Sequence, residues 1–494
     1  MRETVERAST HVDVVIVGAG ISGIGSAWHL MRHCPSKSFT ILEGRETIGG
    51  TWDLFRYPGV RSDSDMHTLG YAFKPWLEAR AIADGPSILS YINETADEFD
   101  IRRHVRFGHR VTAASWSSSE ALWTVEAEHG DTAVRLTCNM LLLCGGYYDY
   151  EDPYRPTWEG EDLFSGNIVH PQFWPENLDC RGKRFAVIGS GATAMTLVPA
   201  LAREGASRVV MVQRSPTYVL SWPSEDRVAN LLARFLPNRL AYAITRRRNV
   251  RRDVEFYRRT RTEPDKVKAE LVGLVRRALK PEIDVAKHFT PRYGPWDQRL
   301  CLIPDDDLYD ALNSGKATVR TDAIAGFTPE GLELGSGETV EADIIVVATG
   351  LRMKILNGIR LSVDGSAVNP PEHWSYKGMM LSDVPNLVQT FGYINASWTL
   401  RADLTAAWAC RLINTMDRRG ARQATPRLDG AYRNMTPRPW IDDFPAGYVL
   451  RALDFLPRQG NRDPWRNTQD YALDVRMVKR SPIEDGALEL AGTR

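Results

Sequence analysis

Short apolar runs alternate with a glycine-rich turn and a helical pattern near the start of the chain. Residues 12–17 (VDVVIV) are largely apolar, three glycines follow within residues 18–23, residues 24–32 have a helical pattern, and residues 39–42 are apolar again. Short apolar runs bounded by turns are typical of buried parallel strands. The order therefore predicts a parallel sheet in which a helix connects neighbouring strands.

The same order recurs in the middle of the chain. Residues 184–188 (RFAVI) are followed by a second glycine-rich turn, a helical pattern over 196–203 and another apolar run over 208–213. Residues 141–146 and 344–350 are apolar runs that end in glycine, as expected where a chain leaves one nucleotide-binding domain for another. We therefore predict an α/β fold with two Rossmann-like dinucleotide-binding domains.

A region without strand alternation interrupts the second domain. Residues 227–287 are rich in Arg, Leu and Ala, which favours helices and predicts a helical insertion in that domain. With these boundaries the first domain comprises residues 1–150 and 380–494, the second comprises 151–225 and 313–379, and residues 226–312 contain the insertion.

The first glycine-rich turn has the pattern and the context of a dinucleotide site. Gly18 permits a tight turn, Gly20 lets the backbone approach a pyrophosphate, and Gly23 allows the helix to pack on the strand. Glu43 ends the next strand, 20 residues after Gly23, where a carboxylate accepts hydrogen bonds from ribose hydroxyls. An acid at this position favours FAD.

The second turn, Gly189-Ser-Gly191-Ala-Thr-Ala194, differs at the corresponding position. Arg214 follows Ala194 by 20 residues, as Glu43 follows Gly23. A ribose 2'-phosphate requires a guanidinium where a free 2'-hydroxyl requires a carboxylate. The second turn therefore predicts an NADPH site. The alternative for Arg214 is a solvated arginine at the end of a strand.

Charge balance and cysteine spacing exclude several classes of protein. Lys plus Arg and Asp plus Glu number 62 each, so no net field attracts nucleic acid. The six cysteines form no C-x-x-C pair, which argues against a metal site, a dithiol redox centre and a disulfide framework, and fits a cytoplasmic protein. The sequence predicts neither a signal peptide nor a membrane-spanning helix.

Arginines cluster within the predicted insertion, at residues 246–248, 251–252 and 258–259. The favoured interpretation is a solvated helical face. The alternative is a peripheral contact with an anionic membrane surface.

Two dinucleotide sites in one chain allow a hydride to pass from NADPH to FAD, and the next electron acceptor is then the open question. Disulfide reductases need a pair of thiols beside the flavin, which this sequence lacks. The remaining acceptors are dioxygen, an external electron carrier and a directly reduced substrate.

The segment before the second turn resembles a known fingerprint. Phe164, Gly166, His170 and Trp174 match F-x-G-x-x-x-H-x-x-x-W-[P/D] of the type I Baeyer-Villiger monooxygenases, which are class B flavin enzymes. From the residues alone, the segment is an aromatic-flanked loop whose histidine is structural or catalytic. Trp174 favours this family over the related N- and S-oxidising flavin monooxygenases.

The resemblance covers nearly the whole chain and is closest to the bacterial members that activate the thioamide ethionamide. It includes residues 49–53 (GGTWD), 56–59 (RYPG), 61–65 (RSDSD), 188–194 (IGSGATA), 213–218 (QRSPTY), 296–302 (WDQRLCL) and 393–399 (YINASWT).

The resemblance implies an NADPH- and O2-dependent flavin monooxygenase that converts ketones to esters or lactones through a C4a-peroxyflavin and also oxygenates sulfides or thioamides. Arg299 stands at the position of the family's catalytic arginine, and Asp63 at that of the acid that holds it. A fixed guanidinium in a dry pocket stabilises a developing oxyanion. The alternatives are an ion pair of Arg299 with Asp297 or Asp305, and a turn-capping role for Asp63.

The resemblance also implies the cofactor contacts. For FAD they are Gly18, Gly20, Ser22, Gly23, Glu43, Gly50, Thr51, Trp52, Asp53 and Val111. For NADPH they are Arg61, Ser62 and Asp63 near the nicotinamide, Gly189, Ser190, Gly191, Ala192, Thr193, Ala194, Met195 and Thr196 around the pyrophosphate, and Arg214 and Ser215 at the 2'-phosphate.

One position departs from the family. Gln298 stands where better-known cyclic-ketone enzymes have a lysine that helps to hold the 2'-phosphate, so we expect weaker discrimination against NADH. His170 is predicted to couple nucleotide position to domain geometry and not to transfer a proton. The alternative functions are an N/S-oxygenating flavin monooxygenase without ketone activity and a flavin-bound redox-sensing or membrane-associated partner protein.

Overall fold

The computed structural model of the protein describes residues 10–442 and 444–493, and in this part of the chain nine strands form the first sheet. Its centre is parallel, because Thr10–Val17 lies between Phe39–Leu42 and the second half of Thr132–Leu143. Along the sheet the order is Ser366–Ala367, Arg360–Val363, His109–Ser117, Leu122–His129, Thr132–Leu143, Thr10–Val17, Phe39–Leu42 and Val105–Arg106, with Leu387–Gln389 also paired to Thr132–Leu143.

Helices cover the first sheet. Ile21–His33 connects the first two strands, as predicted, and packs against the long helix Trp398–Arg419. Ile24 and Leu412 on these helices are fully buried in one core with Ile16 of the first strand. Burying apolar side chains of this size stabilises the fold by about 1.5–3 kcal/mol each.

The second sheet is parallel throughout. Its strands, in spatial order, are Ala317–Thr321, Arg208–Gln213, Arg184–Ile188, Ile344–Val347 and Asn167–Val169. Helix Ala192–Arg203 follows the strand Arg184–Ile188 and buries Leu197 and Leu201 against that sheet. One strand-turn-helix unit lies on the parallel centre of the first sheet and another on the parallel second sheet, which confirms the predicted fold class.

The inserted region is helical, as predicted. It contains Arg227–Phe235, Asn238–Thr262, Pro264–Ala278 and Val285–His288. No helix in residues 10–442 and 444–493 has the length and apolar character needed to cross a bilayer.

The arginine cluster in this insertion contains arginines that are held by other groups of the chain and arginines, such as Arg247 and Arg251, that are exposed. Arg246 is largely buried and donates hydrogen bonds to the carbonyls of His67, Thr68 and Gly70. Other arginines of the cluster form ion pairs with carboxylates of the same chain: Arg248 with Asp226, Arg252 with Asp65, Arg258 with Glu255 and Arg259 with Glu270. Arg261, just beyond the cluster, pairs with Asp297.

The chain returns to the first sheet earlier than predicted. Arg360–Val363 pairs in parallel with His109–Ser117 of that sheet, whereas residues up to 379 were expected in the second domain. The strand is short and lies near the edge of the sheet, so it lacks the apolar run by which the central strands were recognised.

Smaller elements complete the fold. The paired strands are Val219–Trp222 with Cys301–Pro304, Ile324–Thr328 with Gly331–Leu334 and Thr339–Glu341, Ser375–Tyr376 with Met380–Leu381, Ala421–Pro426 with Leu488–Thr493, and Arg438–Pro439 with Arg458–Gln459. The remaining α-helices are Thr51–Leu54, Met66–Leu69, Gly85–Glu98, Asp307–Asn313, Gly447–Leu450 and Tyr471–Asp474.

Two segments that connect the sheets lie side by side, and we call residues 147–154 and 349–354 the crossover pair. The Asp149 N–H donates to the Arg352 carbonyl at 2.9 Å, and the Lys354 N–H donates to the Tyr147 carbonyl at 2.9 Å. The Lys354 ammonium also lies 3.2 Å from the Asp149 carboxylate. The two connections between the domains are therefore joined to each other.

Candidate active site

A continuous cavity of about 1430 Å³ runs between the two sheets, and both glycine-rich turns line it. Gly18 and Gly20 lie in its wall on one side, and Gly189 and Gly191 on the other. The cavity therefore connects the two predicted nucleotide sites.

The first turn is built as the sequence predicts. A Cβ on Gly23 would lie 1.8 Å from the Gly18 carbonyl oxygen, and Gly18 has a φ of +98° with Gly145 packed against it. Side chains are therefore excluded where the helix meets the strand. Gly20 is the N-cap of helix Ile21–His33. No described side chain caps this helix and its first turn has no acid, so its N-terminal amides are available to an anion.

Glu43 lies at the cavity wall beside this turn. Its carboxylate accepts hydrogen bonds from the Ala19 N–H at 2.6 Å and the Arg45 N–H at 2.9 Å. Burial raises the pKa of Glu43, although these two donors oppose the effect. The carboxylate is thus fixed by the backbone beside the first turn.

The residues after Gly50 divide into two groups. Thr51 and Trp52 line the cavity, and the Thr51 hydroxyl lies 3.2 Å from the hydroxyl of Tyr150. Asp53 instead points away, with its carboxylate 2.5 Å from the guanidinium nitrogens of both Arg45 and Arg56. Asp53 therefore stabilises the turn on the side away from the cavity and does not line the cavity.

The second turn repeats the architecture of the first. Gly189 has a φ of +142°, and a Cβ there would lie 2.3 Å from the Ala348 carbonyl oxygen. Gly191 is the N-cap of helix Ala192–Arg203, and again no described side chain caps the helix. At the end of the next strand, Arg214 and Ser215 are exposed at the cavity. Arg214 makes no ion pair or side-chain hydrogen bond within residues 10–442 and 444–493, so its guanidinium is available to an anionic ligand.

Arg299 and Asp63 meet in the cavity between the two turns. The Arg299 Nε donates to one Asp63 carboxylate oxygen at 2.8 Å and Nη2 donates to the other at 3.1 Å, which is a bidentate pair. The negative charge of Asp63 holds the pKa of Arg299 well above its ordinary value, despite the opposing effect of burial. About a third of the side chain, 33%, remains accessible to the cavity. A permanent, oriented cation therefore faces the space where the two sites meet.

Unlike Arg214, Arg61 is held in an ion pair. Its guanidinium lies 2.5 Å from the Asp307 carboxylate, and both side chains are nearly buried. Arg61 and its neighbour Ser62 still line the cavity near Asp63. The Arg61 pair therefore fixes the segment that carries Asp63.

Three tyrosines that sequence reasoning did not single out lie close to Arg299. The hydroxyls of Tyr147 and Tyr148 are 2.5 Å apart, and Tyr448 lines the same part of the cavity. Burial raises the pKa of all three phenols, so they stay protonated. The Tyr-Tyr pair directly after the predicted strand end at 141–146 was an available signal for two of them, whereas Tyr448 is placed by the tertiary fold.

Trp398 closes the cavity beside these tyrosines. Its ring stacks on that of Tyr147 with centroids 5.1 Å apart, and its Nε1 donates to the Ser22 hydroxyl at 2.8 Å. Ser22, predicted to contact FAD, is thus also an anchor for the helix Trp398–Arg419.

The fingerprint segment lies outside the cavity. Phe164 is buried, Gly166 has no room for a Cβ beside the Asp343 carbonyl, and Trp174 packs on the core of the second domain. His170 accepts a hydrogen bond from the Gln172 N–H at 3.2 Å, and the Gln172 side-chain amide donates to the Asp149 carbonyl at 2.9 Å. Burial lowers the pKa of His170 to about 4. The segment is therefore docked on the crossover pair through Gln172, a residue that sequence reasoning missed.

The structure thus gathers most of the predicted site residues around one cavity. Those that line it are Gly18, Gly20, Ser22, Glu43, Gly50, Thr51, Trp52, Arg61, Ser62, Asp63, Val111, Gly189, Ser190, Gly191, Ala192, Thr193, Thr196, Arg214, Ser215 and Arg299. Those that do not are Gly23, Asp53, Ala194, Met195 and the four fingerprint residues.

Comparisons with known proteins agree with this architecture. The sequence profile of the flavin-binding monooxygenase-like family matches residues 79–272, and that of the NAD(P)-binding Rossmann-like domain matches residues 16–80. The FAD-containing monooxygenase EthA of Mycobacterium tuberculosis is 50% identical over 481 residues, which cover 97% of this chain and 98% of EthA.

Solved structures share the fold over the full length. An oxidized steroid monooxygenase bound to NADP has a TM-score of 0.78 and 24% identity, with 97% of this chain and 99% of that chain covered. A complex of OTEMO with FAD and NADP has a TM-score of 0.77 and 21% identity, with 98% and 100% covered.

Proposed function

This chain belongs to the family of FAD-containing monooxygenases, and from that membership we propose that it uses NADPH and dioxygen to convert ketones into esters or lactones, with oxygenation of sulfides or thioamides as a second activity.

FAD and NADP are the cofactors of this family, and the two turns fit them. The first turn offers an uncapped helix N-terminus and the buried carboxylate of Glu43, which suit the pyrophosphate and ribose of FAD. The second offers the same helix geometry with the unpaired cation of Arg214, which suits the 2'-phosphate of NADPH. When bound, FAD accepts a hydride from NADPH and activates dioxygen.

The observation that carries the proposal is the Arg299–Asp63 pair in the cavity between these turns. Inserting oxygen beside a ketone carbonyl places negative charge on the carbonyl oxygen, and a preoriented guanidinium lowers the cost of that charge. Asp63 fixes the plane of the guanidinium and leaves part of it facing the cavity. We assign charge stabilisation to Arg299 and positioning of Arg299 to Asp63.

Protonated phenols favour the second activity. A sulfur atom is a soft nucleophile, and oxygen transfer to it requires a proton for the oxygen that leaves. The hydroxyls of Tyr147, Tyr148 and Tyr448 near Arg299 stay protonated because burial raises the pKa of each phenol, so they can donate hydrogen bonds to that oxygen but do not supply its proton. One cavity can therefore serve both ketone and organosulfur substrates.

The proposal is tested with the FAD-loaded protein, NADPH and 18O-labelled dioxygen. A medium-chain linear ketone is offered in one arm and an aryl alkyl sulfide in the other, while NADPH oxidation, product mass and hydrogen peroxide are measured. We expect an ester that carries one labelled oxygen, formed in proportion to the NADPH consumed.

The other outcomes are equally clear. Labelled sulfoxide without ester would overturn the ketone proposal and favour the N/S-oxygenating alternative. NADPH oxidation that yields hydrogen peroxide with every ketone and sulfide tested would overturn both activities.

A further inference from the structure

The helical insertion carries an exposed apolar stripe that no part of residues 10–442 and 444–493 covers. On helix Arg227–Phe235, Val228, Leu231 and Phe235 are spaced three and four residues apart and so share one face. Leu231 is 57% exposed and Phe235 is 74% exposed. Large apolar side chains grouped in this way mark a contact surface more often than isolated ones do.

The following helix extends the stripe. Leu240 and Ile244 lie one turn apart near the start of Asn238–Thr262, and both are exposed. Leu77 is exposed in the adjacent loop, whose Ala79 carbonyl accepts a hydrogen bond from Asn230. Two helices and a loop therefore present apolar groups at one corner of the molecule, which we call the apolar corner.

Unpaired arginines flank the apolar corner. Arg227, Arg234, Arg239, Arg247 and Arg251 are all exposed and have no ion pair within the described residues. This contrasts with the neighbouring Arg246, Arg248 and Arg252, which are held internally by carbonyls and carboxylates. The whole chain is neutral, so this local excess of charge is a feature of the surface and not of the composition.

We propose that the apolar corner docks on an anionic lipid bilayer. Apolar side chains beside arginines on the surface of a helix match the interfacial region, where acyl chains accept the former and lipid phosphates pair with the latter. A second copy of the chain fits less well, because a symmetric contact would bring the same unpaired arginines face to face. The docking site lies on the insertion and is separate from the nucleotide cavity.

The test uses the FAD-loaded full chain and sedimentation with large unilamellar vesicles. Vesicles of phosphatidylcholine alone are compared with vesicles in which a substantial fraction is phosphatidylglycerol. We expect binding to the anionic vesicles that weakens as salt is added, and little binding to the neutral ones.

Matched variants separate the corner from general surface effects. Phe235→Ser is expected to weaken binding to anionic vesicles roughly tenfold, because one buried aromatic side chain is lost from the interface. Phe455 lies outside the apolar corner and is 67% exposed. The Phe455→Ser variant should therefore bind the vesicles as the unmodified protein does. Arg227→Glu with Arg234→Glu should abolish binding at moderate salt, whereas Arg480→Glu should not.

Several results would overturn the proposal. Equal binding to both kinds of vesicle, no binding to either, or equal losses in Phe235→Ser and Phe455→Ser would each do so. Self-association that Phe235→Ser abolishes, without vesicle binding, would assign the corner to a contact between copies instead. NADPH oxidation by the FAD-loaded protein should be unchanged in all four variants.

Discussion

At the scale of single residues, the pairing of Arg299 with Asp63 explains why a cation can be kept in a half-enclosed cavity. Desolvation disfavours any charged side chain there, and a lone guanidinium would be costly. Two hydrogen bonds from one carboxylate offset that cost and fix the plane of the guanidinium. Asp63 therefore contributes to the position of the charge as well as to its stability.

This geometry predicts how three substitutions differ. Arg299→Ala should lower the rate of ester formation by about 10²–10³-fold, the usual effect of losing one preoriented donor. Arg299→Lys keeps the charge without the bidentate pair, and Asp63→Asn keeps the shape without the charge, so both should form ester more slowly and release more hydrogen peroxide for each NADPH consumed.

Product and peroxide yields under single-turnover conditions measure these effects. Arg292→Ala, an exposed arginine in the same segment, is the control and should keep the yield of the unmodified protein. Full yield of ester in Asp63→Asn would contradict the positioning role.

Residue spacing alone was enough to expect Glu43 and Arg214 at the cavity wall, where the structure has them, because a fixed number of residues separates each from a glycine turn whose geometry is stereotyped. It did not find Tyr448 or Gln172. Tyr448 reaches the cavity from a short helix near the end of the chain, and Gln172 acts through a single amide contact. Such placements depend on tertiary packing, for which the local sequence has no pattern.

At the scale of elements, the fingerprint segment joins the edge of one sheet to the connections between both. Asn167–Val169 pairs with Ile344–Val347, and Gln172 then binds the carbonyl of Asp149 in the crossover pair. His170 lies between these two attachments with its ring largely buried. Movement of one domain relative to the other would therefore strain this segment, which supports the hinge role proposed for His170.

The burial of His170 predicts a pH effect on stability. The pKa falls from 6.5 in the unfolded chain to about 4 in the folded protein, so the unfolded chain binds the proton more tightly between these values. The contribution of a neutral His170 is present above pH 6.5 and is lost as the pH falls toward 4. His170→Asn should therefore lose less thermal stability on acidification than the unmodified protein does.

Melting temperatures at a neutral and a mildly acidic pH measure this difference. His129→Asn, at an exposed position, should show the same acid sensitivity as the unmodified protein. An acid-induced loss that is identical in all three proteins would mean that His170 is protonated without cost.

Central elements were predictable and edge elements were not. The strands Phe39–Leu42, Arg184–Ile188 and Arg208–Gln213 have the predicted bounds, because strands buried on both faces are largely apolar. Arg360–Val363 has one buried residue in four, and its membership of the first sheet is set by a partner far away in sequence.

At the scale of the whole molecule, two similar domains face each other across one cavity. The sequence patterns predict each turn separately, but the facing arrangement arises from the crossover pair and from the C-terminal residues that complete the wall, such as Trp398 and Tyr448. A ligand that lies along this cavity contacts both domains. Binding of NADP+ should therefore stabilise the molecule as a unit.

Arg208 and Arg214 offer a matched test of this expectation. Arg208 begins the strand Arg208–Gln213 and Arg214 directly follows it, but only Arg214 lines the cavity. With the FAD-loaded protein, NADP+ at about 100 times its dissociation constant should add about 2.7 kcal/mol of stability. Arg214→Gln should weaken NADP+ binding at least about tenfold through loss of one charge-assisted contact. NAD+ has no 2'-phosphate, so its binding should change little.

The thermal shift that each nucleotide produces is measured for the unmodified protein, Arg214→Gln and Arg208→Gln. Arg208→Gln should respond to both nucleotides as the unmodified protein does. Because Gln298 supplies no second cation at the phosphate, the preference for NADP+ over NAD+ should nearly vanish in Arg214→Gln. An undiminished preference in that variant would mean that another cation of the cavity wall binds the 2'-phosphate. Arg214 would then not be the residue that selects NADP+ over NAD+.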